Sequence, residues 1–269
     1  MNAILFSLVL STLAHPVHRQ VVGNAAGGGF SVDLPVVGRV HGATAFFTAL
    51  DITNNSNQST DVEFEYVPAD GSAPRSGLLG TLAPLDNLHL DDFLKTLADA
   101  GLLPPGNGDS FGTLLLTFTN PSFTKGTEAT AVARVYSFTP DGKATYGIAY
   151  RAPALTTIGA HALTSIVRAG GGIVSNVGIE NVGIDDAGAP DAAPVTVRLT
   201  FVDPQTGAIS GAQPSFTLAP GQVVQINDAA RQNAILFVDE IAGTAQIRGY
   251  VVMKDTTTND GSFVFMQGQ

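Results

Sequence analysis

The sequence has no cysteine and no tryptophan. Without cysteine there is no disulfide, no thiolate nucleophile and no thiolate metal site. Stability must then come from core burial, which domains above roughly a hundred residues can achieve. Basic residues are also scarce: 13 Lys and Arg stand against 23 Asp and Glu, a net charge of −10. That balance argues against a nucleic-acid partner and against an anionic membrane surface, since both select for Lys and Arg. No apolar run reaches the roughly 20 residues that a membrane-spanning helix needs, so no stable transmembrane segment is expected.

Catalytic signatures are missing as well. There is no Walker A loop and no dinucleotide fingerprint. Ser122 and Lys125 match S-x-x-K, but they follow Asn120-Pro121 between strands. That motif needs a helix start to set Lys one turn from the nucleophile, so the match is read as coincidence. The five histidines, His15, His18, His41, His89 and His161, show no metal-ligand spacing within one predicted element. His89 alternates with Leu88 and Leu90 and should face solvent. The chain is therefore read as not an enzyme.

What is present is a duplication. Residues 46–54, FFTALDITN, are echoed by residues 173–181, IVSNVGIEN. Both have apolar residues at alternate positions and both end in Asn. At the same spacing, residues 36–43 face residues 163–170, so that Val40 meets Val167. Downstream, Val62, Phe64 and Tyr66 fall on Val197, Leu199 and Phe201. Leu82-Ala83-Pro84 falls on Leu218-Ala219-Pro220, and Gly112-Thr113 on Gly243-Thr244. So long a period suits a duplicated domain and not a solenoid.

The 30 Gly and 15 Pro are scattered at turn positions. Short alternating strands between such turns, with almost no helix, predict an all-β protein of two tandem Ig-like antiparallel β-sandwich domains. The boundaries are 1–29 for a leader and flexible lead-in, 30–153 for the first repeat and 154–269 for the second. One short helix is expected in each. Asp91-Asp92 caps FLKTLADAG, with Phe93, Leu94 and Leu97 as its apolar stripe, and Asn227-Asp228 precedes AARQNAIL as a weaker version of the same device.

Residues 4–14, ILFSLVLSTLA, are too short to span a bilayer and fit a signal-peptide core with cleavage near Ala14, although Met1-Asn2-Ala3 carry no basic residue. A secreted or cell-surface location is expected. The alternative is an N-terminal strand or helix packed on the first domain.

Binding candidates are few. Acidic pairs occur at Asp91-Asp92, Asp185-Asp186 and Asp239-Glu240. Asp185 and Asp186 lie in a Gly- and Ala-rich loop, 183–194, where carboxylates and carbonyls can hold calcium. They are the metal candidates, and calcium is the one cofactor considered. Tyr136, Tyr146 and Tyr150 form the only aromatic cluster, which is assigned to core packing.

VVGRVHGA, then FFTALDITNNS, then TLAP, then a strand ending in acidic residues before a short helix, resemble the tandem repeat domains of secreted bacterial proteins. The resemblance covers nearly all of residues 34–269. It implies exported β-sandwich repeats and no activity. The expected function is a non-enzymatic exported structural or adhesive surface protein, with other surface proteins or polysaccharide as partners. The alternatives are an extracellular module binding carbohydrate or calcium, or a filament subunit joined by strand donation.

Overall fold

The computed structural model describes residues 29–41, 45–103, 109–123, 127–139, 141–153, 159–230, 232–258 and 260–269. The proposed leader, its cleavage site near Ala14, His15, His18 and Lys125 lie outside these residues, as do residues 154–158 at the expected domain boundary.

The first half runs β1 (Phe30–Arg39), β2 (Phe47–Asn54), β3 (Thr60–Pro68), β4 (Arg75–Leu82), β5 (Asn87–Leu90), α1 (Phe93–Asp99), β6 (Ser110–Phe118), β7 (Ala129–Phe138) and β8 (Thr145–Arg151). The second runs β9 (Ala162–Val167), β10 (Ile173–Asn181), β11 (Val195–Val202), β12 (Ser215–Leu218), β13 (Val223–Ile226), β14 (Ala234–Ala242), β15 (Ile247–Asp255), β16 (Gly261–Phe265) and β17 (Gln267–Gly268).

The strands form four antiparallel sheets, β1-β6-β3-β4, β5-β2-β7-β8, β13-β10-β15-β16 and β12-β11-β14-β9-β17. Advancing every strand number of the first half by eight gives the order of the second. The duplication is therefore present in the sheet topology itself.

The expectation of two tandem Ig-like β-sandwiches is corrected. The chain is all-β, but its four small sheets are arranged like the blades of a four-bladed propeller, with the ring open between the β5-β2-β7-β8 and β12-β11-β14-β9-β17 sheets. No blade is a meander of consecutive strands. The interior also crosses between the halves: Val223 and Tyr250 belong to the same buried cluster as Leu50, Phe64 and Leu114. A second cluster fills the other half around Val177, Leu199 and Leu236. Period-two alternation shows that one face of a strand is covered without showing which sheet covers it.

The inward residues of β3 are Val62, Phe64 and Tyr66, all buried, while Glu63 is exposed. Val197, Leu199 and Phe201 do the same in β11. Helix α1 forms as expected. Asp92 accepts from the Lys95 amide at 3.0 Å through Oδ1 and takes the Arg39 guanidinium at 2.9 Å on Oδ2. Phe93, Leu94 and Leu97 are buried. Gly101, at φ 74°, takes the left-handed conformation that ends the helix.

No second helix occurs among the described residues. Asp228 stands at φ 49° and gives its amide to Asn176, and Ala229 gives its own to the Ser175 carbonyl. That turn feeds β14, where Ala234, Leu236 and Val238 are buried at alternate positions. The period is two rather than 3.6, so β14, and not the stretch after Gly243, is the counterpart of β6.

Candidate functional site

β15 is the strand on which the two halves meet. Its outward row is Arg248, Tyr250, Val252 and Lys254. At one end Arg248 is fully buried and donates through Nη1 to Asp33 Oδ2 of β1 at 2.8 Å. Glu180 of β10 lies opposite Arg248 in register and is also buried. Around this point the Thr113 hydroxyl donates to the Gly221 carbonyl at 2.6 Å, Gln222 donates to the Ala69 carbonyl at 3.0 Å, and Leu115 packs on Val182 and Ile184. The outer faces of β1-β6 and β10-β15 thus close on each other here.

Toward Lys254 the halves part, and a cleft of about 650 Å³ opens between them. Its walls are mostly apolar. Val36, Phe46, Phe111 and Ile148 come from the first half, and Val174, Val252 and Phe263 from the second. The aromatic rings at its base are held in place. Tyr150 is buried and stacks on Phe263 at 4.4 Å, and its hydroxyl donates to the Val36 carbonyl. Tyr250 stacks on the same Phe263 at 5.0 Å and lies over Gly178, where any Cβ would collide with its ring. The Tyr250 hydroxyl donates to Gln225 Oε1 at 2.9 Å.

Polar groups gather at one side: Asn176, Gln225, Asn227, Asp228 and Lys254. Lys254 forms no ion pair among the described residues. A cleft of this size, between two similar halves, apolar with a few converging polar groups, has the character of a small-molecule site.

The three tyrosines expected to pack together do three different things. Tyr150 is in the core, Tyr146 lines the cleft, and Tyr136 lies on the outer face of β7 beside Phe47 and Phe138. The cleft's polar side escaped the sequence reading because it comes entirely from the second half. The visible signal was the mixed outward row of β15, in which Lys254 follows Tyr250 and Val252.

Asp185 and Asp186 are adjacent but serve separate ends. Asp185 Oδ1 accepts the amides of Ala187 at 2.9 Å and Ala189 at 2.8 Å, fixing its own turn. Asp186 Oδ1 meets His161 Nε2 at 2.9 Å and takes Gln246 Nε2 at 3.3 Å. Among the described residues, no group of three or more His, Asp and Glu side chains is placed to hold a metal ion.

His161 bonds Glu240 through Nδ1 at 2.5 Å, so two carboxylates bracket it. His89 is bracketed in the same way by Asp51 at 2.6 Å and Asp91 at 3.0 Å. The Glu240 bond, then the Asp186 bond, hold the His161 imidazole above its ordinary value, and Asp51 followed by Asp91 does so for His89. With both ring nitrogens engaged, neither histidine has a lone pair free for base catalysis. His41 pairs with the Asp109 carboxylate at 2.7 Å, which keeps that acid below the usual range. Ser122 is exposed and its amide donates to Asn120 in a turn. The acidic pair Asp91-Asp92 is divided between His89 and the helix cap.

No protein-family model matches this chain, and no curated protein matches it in sequence.

Proposed function

We propose that the protein is a non-catalytic binding module. Its site is the cleft between the halves, and its ligand is a small molecule with a flat apolar body and an anionic group. The observation that carries this reading is the placing of Lys254, which makes no ion pair among the described residues, on the polar side of a mostly apolar cleft walled by Phe46, Tyr146, Ile148 and Phe263, where Asp228 also lies. An apolar body buried against these walls supplies affinity at roughly 25 cal/mol per Å² of apolar area, and Lys254 with Asn176 and Gln225 orients the charged end.

The test is titration with an aromatic anion, anilinonaphthalene sulfonate, monitored by its fluorescence and by calorimetry. One molecule should bind per chain, and Lys254→Ala and Ile148→Asp should each weaken binding at least tenfold while leaving the melting temperature unchanged. Equal affinity in wild type and both variants would reject the cleft. Neutral sugars and uronic acids form a second arm, and tight binding of neutral sugars would favour a carbohydrate module over this ligand class.

A structural or adhesive role, in the exported setting that the leader suggests, is favoured by a different feature: two of the four sheets keep a face in solvent. Phe138 is 49% exposed on one and Ile166 is 62% exposed on the other.

A further inference from the structure

The four sheets are of two kinds. By the shift of eight, β1-β6-β3-β4 is the counterpart of β9-β14-β11-β12, and β5-β2-β7-β8 is the counterpart of β13-β10-β15-β16. Inside the chain, one face of each kind meets the other. The outer face of β1-β6 closes on the outer face of β10-β15 through Asp33 and Arg248. Ser31, Asp33, Thr113 and Leu115 are buried on one side, and Glu180, Arg248 and Tyr250 on the other.

One face of each kind is left over. The free face of β2-β7 carries Phe47, Tyr136 and Phe138 in mutual contact, with ring centroids 5.7–6.1 Å apart. The free face of β9-β14-β11 carries an apolar row across three strands, Ile166, Ile235 and Val202, paired in register. The register also gives the counterparts of the buried ion pair. Thr164 stands where Asp33 stands, and Thr130 stands where Arg248 stands. The charges are thus replaced by two small neutral side chains, which need no desolvated ion pair to come together.

We propose that these free faces bind each other between copies of the chain. The β9-β14-β11 face of one molecule seats on the β2-β7 face of the next, repeating between molecules the contact already made within each. Such a contact joins unlike surfaces, so it is head to tail and extends into a chain of molecules unless its rotation closes a ring. It does not depend on the cleft or its ligand.

The absence of cysteine makes the test clean. Thr130→Cys and Thr164→Cys are prepared separately in the full chain and treated with a short bismaleimide, since an Arg–Asp pair spans more than a disulfide can. Mixed variants should cross-link into dimers, and each variant alone should not. Sedimentation of the wild type should show mass rising with concentration, and Ile166→Asp or Phe138→Asp should hold the chain monomeric with its melting temperature unchanged. A wild type that stays monomeric up to its solubility limit overturns the proposal. So does cross-linking of either single variant as fast as the mixture, which would mean a symmetric contact between like faces.

Discussion

Asn54 and Asn181 hold the same position in the two halves. Each closes its strand, β2 or β10, and each is fully buried. Asn54 Nδ2 donates to the Leu82 carbonyl at 3.3 Å, and Asn181 Nδ2 donates to the Leu218 carbonyl at 3.1 Å. Each side-chain oxygen accepts an amide two residues on, from Ser56 at 3.0 Å and from Gly183 at 2.9 Å. A buried amide so used ties the strand end to the Leu-Ala-Pro turn. Truncating either to Ala leaves buried backbone groups without partners, at about 1–3 kcal/mol for each orphaned group. Urea unfolding should show comparable losses at both positions.

The strand register gives a second prediction. Phe64→Ala and Leu199→Ala should each cost about 2–5 kcal/mol, the range for large buried apolar side chains. Glu63→Ala, on the exposed side of β3, should change stability by no more than about 0.5 kcal/mol. Equal losses at positions 63 and 64, measured by chemical unfolding, would mean that β3 is turned the other way.

The pairing of Asn54 with Asn181 and of Leu82 with Leu218 was readable because a buried amide and a tight turn tolerate few substitutes. The pairing of Val40 with Val167 was not right. The Thr48 hydroxyl bridges the amide and carbonyl of Gly38, and the Ser175 hydroxyl does the same for Arg168, so Val37 is the true counterpart of Val167. A register irregularity between Leu34 and Val37 shifts the alignment there. The closure of the two halves was hidden for a different reason. Asp33, Glu180 and Arg248 read as solvent-facing positions of alternating strands, and only a second sheet laid over them makes them interior. The cleft follows from that closure, so Lys254 could not be chosen from the sequence.

The buried ion pair should be costly to break. Arg248→Met removes the cation from an interior that also holds Asp33 and Glu180, and should destabilise by about 3–5 kcal/mol. Arg198, paired with Asp239 at 3.7 Å on the surface, is the control. Its loss should cost about 0–1 kcal/mol. Denaturant midpoints of the two variants, compared at neutral pH, decide it.

The bracketed histidines predict how stability changes with pH. His89 and His161 bind a proton more tightly in the folded chain than their ordinary value of 6.5 implies. Their contribution is complete below the unfolded value and is lost as pH rises through the raised folded value. The melting temperature should therefore fall across the range just above 6.5, and the double variant His89→Gln, His161→Gln should flatten that slope. An unchanged slope in the double variant would place the titration elsewhere.

Two equivalent halves are closed into one unit at Asp33 and Arg248, with the cleft as the open end of that closure. Calorimetry of the full chain tests it most directly. One heat-absorption peak is predicted, with calorimetric and van't Hoff enthalpies equal, because a shared interior must be lost at once. Two resolved peaks in the wild type, each with its own enthalpy and neither moved by Arg248→Met, would contradict it and return the halves to independent domains.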